Sequence, residues 1–139
     1  MEKKLKAVLA GCGGMSGTWL RVAKELPDLE MVGFMDIRKE AAEKRADEYG
    51  NTGAIVGTDL AAILKKAKPD VVFDCSIPEA HVTVTLEALR RGCHVLGEKP
   101  LADSMANARR MVAAAKKAGK TYAVIQNRRY DPRIRRLRS

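Results

Sequence analysis

The sequence predicts an α/β fold: a doubly wound, six-stranded parallel sheet with helices on both faces. Three observations carry that prediction. Short apolar stretches alternate strictly with helix-period stretches along all 139 residues, with no internal repeat and no low-complexity segment. The first apolar stretch runs directly into a glycine-rich turn, Gly11-Cys12-Gly13-Gly14-Met15-Ser16. The second ends on an acidic residue, Asp36, twenty residues beyond that turn. Parallel strands joined by right-handed crossovers then give the expected order 3-2-1-4-5-6.

The elements follow in chain order. Leu5–Ala10 is an apolar strand with charge only at its start. Thr18–Leu26 reads as a helix because Trp19, Leu20, Val22, Ala23 and Leu26 recur at helical spacing, and Pro27-Asp28 stops it. Leu29–Met35 is the second strand. Arg38–Tyr49, rich in Ala, Glu, Lys and Arg, is a helix ended by Gly50. A weak strand lies around Ala54–Val56. Thr58 caps a short helix reaching about Lys66, and Pro69 marks the next turn. Val71–Cys75 reads as an apolar strand buried on both faces. Pro78 starts the helix Glu79–Arg91, which ends at Gly92; Cys93–Leu96 is the fifth strand. Ser104 caps the helix Met105–Ala118, ended by Gly119, and Tyr122–Ile125 is the sixth strand. Asp131 as N-cap and Pro132 at the first position open a last helix over Arg133–Arg138.

A strand, a glycine turn and a helix in succession make a site for a dinucleotide. Gly11 permits the tight turn. Gly13 has no Cβ, so backbone can approach a pyrophosphate, and the free N–H groups and dipole of the following helix favour its charge. Cys12, Gly14 and Met15 complete the turn. Ser16 stands where a third glycine is usual, and its small side chain still allows close helix–strand packing. The Asp36 carboxylate can accept hydrogen bonds from a ribose 2′-OH and repel a 2′-phosphate, which favours NAD. Arg38 can stack on an adenine face or accommodate a 2′-phosphate, which keeps NADP open.

Composition excludes several other classes. No apolar run approaches the ~20 residues of a membrane span. The start Met1-Glu2-Lys3-Lys4 with Leu9-Ala10-Gly11-Cys12 resembles a lipoprotein signal. Only five residues separate Lys6 from Cys12, whereas a signal core needs about 7–15. The expectation is a cytoplasmic protein that is not membrane-bound. Cys12, Cys75 and Cys93 are odd in number and widely spaced, which fits reduced thiols and no metal site. Of the net charge of +9, six arginines against Asp131 supply +5 within the last twelve residues. That tail has one aromatic, Tyr130, and no stacking platform, so nucleic acid is not an expected partner.

Four further segments make the resemblance specific: Ser76-Ile77-Pro78-Glu79-Ala80-His81, Gly97-Glu98-Lys99-Pro100-Leu101, Asn127-Arg128-Arg129-Tyr130-Asp131-Pro132, and Asp36 itself. With the glycine turn they resemble the Rossmann cofactor domain of the glucose–fructose oxidoreductase and inositol dehydrogenase (Gfo/Idh/MocA) family. The resemblance covers essentially the whole chain, and Glu-Lys-Pro is its most specific motif. It implies an NAD(P)-dependent dehydrogenase or reductase acting on a polyol, sugar or cyclitol. In the family, the lysine at the position of Lys99 binds the substrate hydroxyl or carbonyl and assists proton transfer. Pro100 aims it, often through a cis bond. Glu98, Ser76, Pro78, His81 and Asn127 are then expected around the cofactor. Ile77 replaces the first of two prolines common there.

The family has a second, α+β domain that supplies substrate-binding aspartate and histidine residues and forms homo-oligomers. Residues 1–127 correspond to the cofactor domain and 128–139 to the start of the connection. The isolated chain is therefore expected to be inactive. The competing class is a stand-alone dinucleotide-binding or sensing module, which would have no need of a proton-relay lysine at position 99.

Overall fold

Six strands assemble in the order β3-β2-β1-β4-β5-β6, all paired in parallel, as the alternation of the sequence predicts. The structure is a computed structural model that describes residues 3–50 and 53–137. The strands are β1 Leu5–Ala10, β2 Leu29–Met35, β3 Ile55–Gly57, β4 Val71–Asp74, β5 His94–Gly97 and β6 Tyr122–Val124. The helices are α1 Gly14–Lys24, α2 Lys39–Tyr49, α3 Leu60–Ala67, α4 Pro78–Arg90, α5 Met105–Ala118 and α6 Pro132–Arg136.

Burial on both sheet faces follows from period-two alternation. Along β1, Ala7 and Leu9 face α1 and α2, packing with Leu20, Ala23, Ala42 and Ala46. Val8 and Ala10 face α3, α4 and α5, packing with Ile63, Leu64, Val84, Ala88 and Ala115. A central strand covered on both sides must be apolar at every position, and these four β1 residues are fully buried. Caps account for the helix ends. Asp59 Oδ1 accepts from Ala62 N at 3.2 Å, Ser104 Oγ from Asn107 N at 3.2 Å, and Asp131 Oδ1 from Arg133 N at 2.8 Å. Gly50 and Gly119 close α2 and α5 in left-handed conformation.

Several boundaries differ from those expected. Helix α1 begins at Gly14, not Thr18, because the glycine turn is itself the helix's first turn; apolar periodicity starts only where the helix meets the sheet. Asp59, not Thr58, caps α3. Strand β5 starts at His94, because Cys93 N still bonds back to Ala88 O at 3.0 Å to close α4. The weak third strand lies one residue later, at Ile55–Gly57. Helix α4 takes Pro78 as its first residue and ends at Arg90. Strand β6 ends at Val124. Strand β4 ends at Asp74, so the expected apolar strand contains a carboxylate that is 1% exposed. The expected features at Met1, Glu2 and Arg138 lie outside the described residues. Among the described residues, no helix is long and apolar enough to cross a membrane.

Candidate active site

Parallel pairing brings the motifs to one sheet edge. Ala10 is in register with Met35 and with Asp74, Asp74 with Gly97, and Gly97 with Val124. The segments that follow these residues therefore emerge side by side: the glycine turn, Asp36, Ser76, Glu98-Lys99 and Asn127. In an open α/β sheet this carboxyl edge is where ligands bind.

The glycine turn is held from below. Gly11 has φ +91° and donates its N–H to Met35 O at 2.8 Å. A Cβ on Gly11 would stand 2.5 Å from Cys75 C and Ser76 N. Cys12 N donates to Asp36 Oδ2 at 2.8 Å, and Arg38 N donates to Asp36 Oδ1 at 2.9 Å. Asp36 thus ties the turn to the end of β2 before any ligand arrives. Gly13 is the N-cap of α1 and has no capping side chain. A Cβ at Gly13 or Gly14 would meet nothing within 4 Å. Uncapped first-turn N–H groups facing open space, at the positive end of a helix, fit a pyrophosphate. Ser16, in place of the third glycine, is fully buried and donates its hydroxyl to Gly13 O. Beside the turn lies a groove of about 380 Å³ that includes Arg38, Glu40, Lys44 and Arg45.

Lys99 is exposed at the opposite half of the edge. A cis peptide bond joins it to Pro100. It borders a shallow hollow of about 640 Å³ with Gln126, Asn127, Arg128, Arg129 and Ile134. Glu98, only 8% exposed, fixes the backbone that carries Lys99. Its Oε2 accepts from Lys99 N at 3.1 Å, its Oε1 from Trp19 Nε1 at 2.9 Å, and its own N–H donates to Asp74 O at 2.8 Å. The Tyr122 hydroxyl donates to Leu101 O at 3.3 Å and secures the far side of the loop. Burial pushes that phenol up to about 12, so it stays a donor throughout the working pH range.

Beneath the edge lies a buried polar knot. Asp74 Oδ1 accepts from Ser76 N at 3.1 Å and from the Ser76 hydroxyl. Asp74 Oδ2 accepts from Thr85 Oγ1 at 3.3 Å and lies 3.0 Å from His81 Nδ1. His81 is 2% exposed, and its Nε2 has no hydrogen-bond partner among the described residues. The structure thus places His81 below the cleft and not on its wall, with Ser76 as the member of the knot nearer the surface. Pro78 is the half-buried first residue of α4. The Cys12 thiol is also turned inward. Burial, reinforced by the Asp36 charge, pushes it up to about 12, and burial raises Cys75 and Cys93 as well. All three are free thiols. Among the described residues, no group of three or more His, Cys, Asp or Glu could hold a metal ion.

Three residues of this arrangement escape a reading of the sequence. Asp74 was signalled by a charge inside an otherwise apolar strand. Trp19 lies on the apolar stripe of α1 and makes a tilted ring contact with Phe73 at 5.5 Å, but its indole N–H also serves Glu98. Arg45 falls on the sheet-facing stripe of α2 with Ala42, Ala46 and Tyr49, a charge where apolar residues are expected.

Comparison with known proteins agrees with this geometry. Residues 5–126 match the GFO_IDH_MocA family, described as an oxidoreductase family with an NAD-binding Rossmann fold. The chain is 42% identical over 111 residues to a D-glucoside 3-dehydrogenase of Escherichia coli, covering 80% of this chain and 31% of that protein. It is 34% identical over 138 residues to an inositol 2-dehydrogenase/D-chiro-inositol 3-dehydrogenase of Lacticaseibacillus casei, covering 96% of this chain and 39% of the other. Among solved structures, the WlbA dehydrogenase of Bordetella pertussis, in complex with NADH and UDP-GlcNAcA, superposes with a TM-score of 0.84 at 29% identity, covering 93% of this chain and 38% of that one. The chain thus spans between three and four tenths of the length of these relatives.

Proposed function

The chain belongs to the Gfo/Idh/MocA oxidoreductase family, and from that premise we propose that it forms the cofactor-binding half of an NAD-dependent dehydrogenase or reductase acting on a hydroxyl or carbonyl of a sugar, polyol or cyclitol. The observation that carries this reading is the shared sheet edge, where the register aligns the glycine turn and Asp36 with the Lys99 loop. Relatives named for glucoside and inositol oxidation support the substrate class. Residues 1–127 serve as the cofactor domain and 128–139 lead toward a substrate domain, through which the whole protein assembles as a homo-oligomer in the cytoplasm.

The roles of the residues follow from their chemistry. The turn N–H groups at Gly11–Met15 hold the pyrophosphate, and Asp36 accepts from the adenosine ribose. NAD is the preferred cofactor because a 2′-phosphate would meet the Asp36 carboxylate; Arg38 leaves NADP as the weaker alternative. When bound, the nicotinamide supplies the hydride acceptor or donor. Lys99 presents its ammonium to the reacting oxygen and moves a proton to or from it. Glu98, Ser76 and Asn127 border the nicotinamide half, and Pro78 and the buried His81 support the Ser76 loop from below.

Lys99→Met tests this assignment in the full-length protein. Its contribution belongs mainly to the transition state, so kcat should fall by about 10²–10³. Cofactor affinity should change little, because backbone groups hold the phosphates. Lys99→Arg should not rescue the rate, since a guanidinium is planar and does not release a proton. Near-normal kcat in Lys99→Met would remove the chemical support for the assignment.

A further inference from the structure

We infer that Arg45 is a positioning residue for the phosphate-binding turn and contributes side-chain positive charge to it, an inference that rests on the dinucleotide reading of that turn. Arg45 comes from α2, 32 residues away in sequence, yet its Nη2 donates to Gly13 O at 2.9 Å. Gly13 is the N-cap of α1, and its carbonyl points into the first turn of the helix, where it accepts from Ser16 N at 3.2 Å. The Ser16 hydroxyl and the Arg45 guanidinium also donate to this carbonyl, and the guanidinium thereby ties the turn to α2. Arg45 also borders the groove beside the turn, whose other charged side chains are Arg38, Lys44 and Glu40.

The setting is built for this side chain. The Arg45 side chain is 19% exposed, far less than the 74% of neighbouring Lys44. Its Nη1 pairs with Glu48 Oε2 at 2.6 Å, which fixes the planar fork. Lys44 Nζ lies 4.0 Å from the other Glu48 oxygen, and Lys24 Nζ donates to Glu48 O at 3.1 Å. The Glu48 carboxylate therefore faces two cations, Arg45 and Lys44, and the three together keep net positive charge. A Cβ on Gly17 would lie 3.1 Å from Arg45 Nη1, so the bare α1 backbone there makes room for the guanidinium.

The test is NAD titration of the full-length protein by calorimetry at low and high salt, on Arg45→Met, Arg45→Gln and Arg45→Lys, with thermal unfolding of each. Losing a charge-assisted contact should raise Kd by about tenfold in Arg45→Met and Arg45→Gln at low salt. The rise should shrink at high salt, because screening already weakens that charge in the unmodified protein. Arg45→Lys keeps the charge and should stay within about threefold of the unmodified protein, and it carries the comparison if the uncharged variants do not fold. A merely structural role would raise Kd equally at both salt levels, which overturns the inference, as does an unchanged Kd. Failure of the unmodified protein to bind NAD would instead sink the dinucleotide reading, and this inference with it.

Discussion

Replacing Gly11 by alanine separates what the turn needs for folding from what it needs for binding. At Gly11 the backbone has φ +91°, and a Cβ would sit 2.5 Å from Cys75 C and Ser76 N and 2.6 Å from Cys75 O. These neighbours are backbone at the end of β4 and cannot turn aside. The left-handed conformation alone costs an L-residue about 1–2 kcal/mol. Forcing a carbon into packed backbone adds about 1–3 kcal/mol. Gly11→Ala should therefore lose about 2–5 kcal/mol, which in a domain of this size lowers Tm by on the order of 10 °C. Gly13 is the opposite case. Its φ is −77° and a Cβ there would meet nothing within 4 Å. Gly13→Ala should cost no more than about 1 kcal/mol, the scale of a weakened N-cap. It should nonetheless weaken NAD binding, because its methyl occupies the space that backbone donors leave to the phosphates. Urea unfolding and NAD titration of the two variants measure both quantities. An unchanged unfolding midpoint in Gly11→Ala would refute the packing argument, and unchanged NAD affinity in Gly13→Ala would refute the pyrophosphate placement.

Other expectations follow from the same edge. Asp36→Ala removes the acceptor of Cys12 N and Arg38 N; it should cost about 1–3 kcal/mol and narrow the preference for NAD over NADP, as read from the ratio of their Kd values. If that ratio does not move, Asp36 is not the discriminator. His81→Leu removes the imidazole from the Asp74 carboxylate, 1% exposed, and leaves it only the Ser76 and Thr85 bonds; losing one hydrogen bond to a buried charged group should cost about 1.5–3 kcal/mol in urea unfolding, and a loss below about 0.5 kcal/mol would show that the knot does not depend on it. Burial pushes the Cys12 thiol up to about 12, so only about 10⁻⁴ of it is thiolate at pH 8. Iodoacetamide should label the folded protein slowly at all three cysteines and rapidly after unfolding; fast labelling of Cys12 in the folded state would contradict its inward placement.

The sequence by itself determined the fold class, the strand order and the position of most elements. Those features depend on periodicity over six to fourteen neighbouring residues, and nearest-neighbour sterics and burial act on that scale. It also determined that Gly11, Asp36 and Lys99 share one edge, since each follows a strand and parallel strands end on one edge. Tertiary structure decided the side-chain pairings beneath that edge. Trp19 and Glu98 are 79 residues apart, Arg45 and Gly13 are 32 apart, and Asp74 meets Thr85 across 11. His81 read as a site residue by motif, yet its burial depends on how α4 lies against β4. Asp74 reads as part of an apolar strand because strand periodicity cannot say that a helix will bring two polar partners, His81 and Thr85, to one carboxylate. Such pairings are set by the rotation and distance of each helix on the sheet. Those are fixed by the whole packed core at once, so no local spacing along the chain encodes them.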